Sequence, residues 1–179
     1  NKIDVINGYG KLLPGKKVEV TAADGKSQIV KASHVMVATG GRSRQLPSLP
    51  QDGKKIIGYR EAMTLSKQPD SIVIVGSGAI GVEFAYVYAA LGTKVTVVEY
   101  LPRIVPNEDA DVSKELAKSL KKTGIDFMTS TEVTHVDTKG KGCIVHYKDA
   151  KGEHSMPSEM VLSAVGVTPN IENIGLEAV

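Results

Sequence analysis

The stretch from Ile72 to Glu99, IVIVGSGAIGVEFAYVYAALGTKVTVVE, constrains this chain more than any other, because it admits a strand, a glycine turn, a helix and a second strand in that order. Ile72 to Val75 is an unbroken β-branched run. A strand with one wet face would alternate, so this pattern asks for a parallel strand covered on both faces. Gly76, Gly78 and Gly81 follow in G-x-G-x-x-G spacing. The first allows a tight turn, the second lets backbone approach a pyrophosphate, and the third lets helix pack closely on strand. The helix is predicted from about Ala79 to Leu91, with Gly92 as its stop. Its N-terminus offers unpaired N–H groups and the positive end of its dipole to phosphates. Lys94 to Val98 is the next strand, and Glu99 stands at its end, eighteen residues after Gly81, where a carboxylate accepts hydrogen bonds from a ribose diol. A Rossmann-like fold with an empty site is the plainer alternative. The apolar strand, the helix and the acidic residue at the expected distance weigh against it. Glu99 also favours NAD over NADP: at about 4 Å and an effective dielectric of ~20, a carboxylate repels a 2′-phosphate by a few kcal/mol.

The rest of the chain is read outward from this unit. Asn1 to Ile6 is predicted as a short strand running into a glycine loop at Gly8-Tyr9-Gly10. Lys17 to Thr21 and Gln28 to Lys31, joined across Asp24-Gly25, form a β-hairpin. Val35 to Ala38 reads as a strand ending in Thr39-Gly40-Gly41. Arg42 to Gly58, with Pro47 and Pro50, is predicted as a crossing loop, and Tyr59 to Lys67 as a brief helix, with a domain boundary near Pro69. After a loop held by Pro102 and Pro106, Asp109 to Lys122 has Val112, Leu116, Ala117 and Leu120 at helical spacing, and Ile125 to Met128 follows as a third parallel strand. Three short alternating segments, 132–137, 143–147 and 152–156, predict an antiparallel meander, and Met160 to Val165 returns as an apolar strand ending at Gly166. The expected fold class is therefore α/β, a Rossmann-like parallel sheet with a three-stranded meander inserted, flanked by β-rich pieces of an incomplete second domain.

Composition removes several function classes. Lysine plus arginine exceeds aspartate plus glutamate by only two, and no basic run exceeds two residues, so neither nucleic acid nor an anionic membrane is an expected partner. One cysteine, Cys143, leaves no internal disulfide and no C-x-x-C pair, and is compatible with a reducing cytosol or organelle matrix, the expected setting being cytoplasmic. No apolar run reaches the roughly 18 residues of a membrane helix. The first residues, NKIDVINGYG, lack a signal pattern and a starting Met, which reads as a piece of a longer chain. His34, His135, His146 and His154 have no metal-ligand spacing, so no metal site is expected. Cys143, in an alternating segment with no second cysteine nearby, reads as a buried small hydrophobe.

Five separated motifs then agree: NGYGKL, VATGG, VGSGAIGVEF, VEYLPRIVPNEDADV and AVGVTPNIENIGLE. Together they resemble the dihydrolipoamide dehydrogenase branch of the flavin-dependent pyridine nucleotide-disulfide oxidoreductases. The resemblance implies that Gly10, Thr39, Gly40 and Gly41 contact FAD, while Gly76, Ser77, Gly78, Ala79, Ile80, Gly81, Glu83, Glu99, Val133 and Gly166 line the NAD site. Glu83 would sit near flavin and nicotinamide, paired with a lysine outside this chain; its plainer role is a dipole-favoured helix residue. NADP-linked relatives often carry alanine at the position of Gly81. Many relatives carry an arginine where Val167 stands.

By the same resemblance, the redox disulfide and first FAD motif lie upstream, and the catalytic histidine and dimer interface lie downstream. No catalytic residue is expected among these 179 residues, which would be inactive alone. The expected division is 1–44 for a flavin-domain segment, 45–70 for a linker, 71–165 for the NAD domain and 166–179 for a return segment. The implied parent is a homodimer serving 2-oxoacid dehydrogenase complexes. A mercuric reductase or soluble transhydrogenase is the sister alternative, and an NADH-sensing module the alternative from another class.

Overall fold

A computed structural model describes residues 2–179 and divides the chain into two units, one of residues up to Arg42 with Thr168–Val179, the other Ser43–Val167. In the first unit, β1 (Tyr9–Leu13), β2 (Lys17–Thr21) and β3 (Ser27–Lys31) form an antiparallel sheet in that order. The Asp24-Gly25 turn joins β2 to β3 as predicted: Gly25 has φ +82°, and the Lys26 amide donates to Asp24 Oδ1 at 3.1 Å. Three expectations fail here. Residues 2–7 form no strand, Tyr9 and Gly10 belong to β1 instead of a glycine loop, and Val35–Ala38 is not a strand. The reason is pairing. Tyr9 and Gly10 lie opposite Thr21 and Val20, whereas no strand among the described residues runs beside Val35–Ala38, and Met36 stays 90% exposed. The unit's last segment is tied in by Leu12 N–H donating to Ile174 O at 2.7 Å. The chain leaves this unit in β4 (Gly41–Ser43).

The second unit contains β5 (Ile56–Ile57), α1 (Tyr59–Ala62), β6 (Ser71–Val75), α2 (Ala79–Ala90), β7 (Lys94–Val98), α3 (Ala110–Lys121), β8 (Asp126–Met128), β9 (Glu132–Asp137), β10 (Cys143–Asp149), β11 (Gly152–Ser158) and β12 (Met160–Ser163), before β13 (Val167–Pro169) leads out. Its parallel sheet runs β5-β12-β6-β7-β8. The β-branched run earns its double cover. Ile72, Ile74, Val95, Val97 and Leu162 face Val82, Ala85 and Tyr88 of α2 and Leu120 of α3. Val73, Val75, Val98 and Val161 face Val133, Cys143 and Val145 of the β11-β10-β9 meander. Tyr88 is buried within that helix layer and donates its hydroxyl to Ala62 O at 2.7 Å.

Two details differ from the sequence reading. The segment read wholly as a loop contains β5, paired in parallel with Val161 and Leu162 of β12 and prepared by Asp52 Oδ1, which accepts the amides of Lys54, Lys55 and Ile56. On α3, Ser113 is buried and Val112 is half exposed, so the helix turns a little from the face that hydrophobicity alone selects.

Candidate nucleotide-binding site

A cavity of about 550 Å³ opens at the carboxyl ends of β6, β7 and β12. Of the residues singled out above, Gly76, Ser77, Gly78, Glu99, Val133 and Gly166 line it, and Arg44, Leu46, Leu49, Tyr100, Leu101, Thr131, Glu132 and Val165 add to the wall. This is the strand edge at which open α/β sheets bind ligands.

The three glycines of the turn are required for different reasons. Gly76 has φ +100°, and a Cβ there would stand 2.5 Å from Ala164 O. Gly81 lies so close under the turn that a Cβ would be 2.0 Å from Gly76 O. Gly78, the N-cap of α2, would meet nothing within 4 Å. Protein packing therefore does not demand glycine at Gly78, and the space beside its backbone is open to a ligand. The first turn of α2 has no acidic residue and no side-chain cap, so its leading amides keep their capacity for an anion. Arg44 is the only cationic residue of the lining, and its amide donates to Gly166 O at 2.9 Å. These features fit a pyrophosphate.

Glu99 is 7% exposed at the end of β7. Its Oε2 accepts the Ser77 amide at 2.8 Å and the Ser77 hydroxyl at 2.7 Å, and its Oε1 accepts the Leu101 amide at 2.8 Å. The loop that follows is pinned to the same turn, because Val105 N–H donates to Ser77 O at 2.9 Å, with Val105 held at φ 38°. A β-branched residue at positive φ is strained, and its buried side chain offsets that cost.

Ala79, Ile80, Gly81 and Glu83 lie on α2 outside the cavity wall, Glu83 on its exposed side. Gly10, Thr39, Gly40 and Gly41 belong to the other unit. There the Thr39 hydroxyl donates to Asn170 O at 2.5 Å and the Asn170 amide to Gly40 O at 3.0 Å, tying two distant segments together beside Gly40, which has φ +77°. Sequence reasoning missed Arg44, Leu46 and Leu49, which sit in the proline-rich stretch read as a crossing loop. The pair of leucines in QLPSLP was the available signal, since Leu49 is 1% exposed.

Elsewhere, burial pushes the Cys143 thiol pKa up. The His135 and His146 rings stack at 4.0 Å across β9 and β10, and His154 lies 3.2 Å from Asp149. Among the described residues no three His, Cys, Asp or Glu side chains gather as a metal site, and no helix is long and apolar enough to cross a membrane.

Comparison with known proteins gives a consistent result. The family model described as pyridine nucleotide-disulphide oxidoreductase matches residues 1–179. The chain is 38% identical over 178 residues to dihydrolipoyl dehydrogenase of Zymomonas mobilis, covering 99% of this chain and 38% of that protein. It is 38% identical over 184 residues to leghemoglobin reductase of Glycine max, covering 99% and 35% respectively. The crystal structure of LpdA from Mycobacterium tuberculosis superposes with a TM-score of 0.82 at 34% identity, covering 97% of this chain and 39% of that one. The chain thus spans less than two fifths of these relatives. The glycine turn, the doubly covered parallel sheet and the match along its whole length place this chain in the pyridine nucleotide-disulphide oxidoreductase family.

Proposed function

We propose that the NAD-binding domain of an NAD-linked dihydrolipoyl dehydrogenase is built on residues 43–167, β5 included, with residues up to 42 and 168–179 contributing to its flavin domain. The observation that carries this reading is the Glu99 carboxylate, held at the end of β7 in the same cavity as Gly78 and the α2 N-terminus. Gly76 to Gly81 receive the pyrophosphate, Glu99 the adenosine ribose, and Val133 and Gly166 the far wall. Glu83 lies toward the nicotinamide, and Gly10, Thr39, Gly40 and Gly41 contribute to the flavin site, as the family resemblance implies. Bound FAD relays electrons between a dithiol–disulfide pair and the nicotinamide, and the protein's share is to position them. Cys143 is the only cysteine of these residues, so lipoamide-dependent NAD reduction is not expected of this stretch expressed alone. The parent enzyme is a cytoplasmic homodimer serving 2-oxoacid dehydrogenase complexes. The equal identity to leghemoglobin reductase favours, as a second reading, the same nucleotide module coupled to another acceptor.

The test is a fluorescence titration. NADH binds at least about tenfold more tightly than NADPH, roughly 1.4 kcal/mol, and Glu99→Arg narrows or inverts that ratio. Equal affinities for the two nucleotides in the unmodified chain would refute the assignment.

A further inference from the structure

We propose that Ser77 is a positioning residue for cofactor selection: its amide and hydroxyl close one oxygen of Glu99, so that the carboxylate meets the adenosine ribose through Oε1 alone. This rests on the NAD reading above. A carboxylate offers about four acceptor positions. Both positions of Oε2 are taken, by the Ser77 amide at 2.8 Å and its hydroxyl at 2.7 Å, and one of Oε1 by the Leu101 amide at 2.8 Å. One position remains, on Oε1, for one ribose hydroxyl.

The arrangement is also rigid. Ser77 is 0% exposed and its carbonyl accepts Val105 N–H. The Glu99 amide donates to Met128 O at 2.8 Å, and its carbonyl accepts Thr131 N–H at 2.9 Å. With its backbone fixed and three donors on its oxygens, the carboxylate cannot swing away from a 2′-phosphate, and it needs no ordering when a 2′-hydroxyl arrives. Of the three donors, two are backbone amides. The Ser77 hydroxyl is the one side-chain donor, and so the one that evolution or mutagenesis can remove.

If Ser77 acted only by packing in the turn, its loss would weaken every dinucleotide alike. If it acts through Glu99, the loss is confined to ligands that carry the 2′-hydroxyl. The experiment titrates the 179-residue chain, Ser77→Ala, Glu99→Gln and the double variant with NADH, NADPH and an NADH analogue lacking the adenosine 2′-hydroxyl. The expected result is that Ser77→Ala weakens NADH about fivefold, leaves the deoxy analogue unchanged and narrows the NADH to NADPH ratio. In the Glu99→Gln background, where one acceptor oxygen and the charge are gone, the same substitution has a smaller effect. An equal loss for NADH and the deoxy analogue, or an undiminished loss in the Glu99→Gln background, overturns the inference and leaves the NAD reading standing. So does an unchanged ratio in Ser77→Ala when the unmodified chain prefers NADH. Failure of the unmodified chain to bind either nucleotide overturns both.

Discussion

At Gly81 a methyl group has nowhere to go, because it would press against a backbone carbonyl, Gly76 O, at 2.0 Å and against the Ala164 side chain at 3.5 Å. Helix propensity favours alanine over glycine by about 1 kcal/mol, but overpacking against a fixed backbone costs about 3 kcal/mol, so the clash wins. Gly81→Ala is expected to lower stability by about 2 kcal/mol in urea denaturation, and a loss below about 0.5 kcal/mol would show that the helix can back away from the strand. Gly78 is the contrast within the same turn. Its Cβ direction is open, so Gly78→Ala should leave the melt nearly unchanged while weakening nucleotide binding. Two glycines three residues apart thus separate packing from ligand approach.

Among the elements, the meander shows how a single side chain can hold a turn. Lys55, just before β5, donates through Nζ to the carbonyls of Thr138 at 2.6 Å, Gly142 at 3.3 Å and Gly140, and so gathers the Lys139–Gly142 loop between β9 and β10. An ammonium has three donors radiating from one atom, which suits three converging carbonyls; the planar guanidinium of arginine does not. Lys55→Met, which keeps the stem but removes the donors, is expected to cost about 1 to 2 kcal/mol in denaturation and to speed amide exchange at the β9–β10 turn. Lys55→Arg should recover less than half of that loss, and full recovery would mean that charge alone holds the loop. Cys143 lies in the same region, its Sγ 3.9 Å from Lys55 O and 3.8 Å from Glu159 O, buried as a small apolar side chain.

Over the whole molecule, each unit holds carboxyl groups below their ordinary pKa, Asp24 and Glu172 in one, Asp52 and Asp149 in the other. In the unit of residues up to 42 and 168–179, Arg42 grips Glu172 through both terminal guanidinium nitrogens, at 2.6 and 3.1 Å, and reaches Asn170 Oδ1 at 2.8 Å. The hydrogen bonds from Arg42 lower the Glu172 carboxyl from its ordinary 4.5 to about 2. A carboxylate whose pKa falls on folding adds stability that is fully present above pH 4.5 and is lost as pH drops toward about 2. Both side chains are about half exposed, so salt weakens the pair. Amide protection factors, corrected for the intrinsic pH dependence of exchange, should therefore fall in this unit from pH 5 to pH 2, and Glu172→Gln should flatten that fall without altering the protection of residues 43–167. An identical acid response in Glu172→Gln would remove the pair from the account.

The β6–α2–β7 unit, α3 and the meander were legible in the sequence because their causes are local: an unbroken β-branched run, glycines at set spacing, and Gly or Asp at the turns. That same local order puts Gly76, Gly78 and Glu99 at one strand edge. Pairing is not local. Val35–Ala38 has the composition of a strand and is not one for want of a neighbour, while Ile56–Ile57 is a strand because β12, about a hundred residues on, lies beside it. The place of Arg44, Leu46 and Leu49 in the cavity wall was likewise decided by the fold, which brings a proline-rich stretch across the end of the sheet. Sequence alone identified Glu99 as a carboxylate at the end of a strand. That three of its acceptor positions are already filled by Ser77 and Leu101 depends on where two backbone amides and one hydroxyl point, and only the tertiary structure sets those directions.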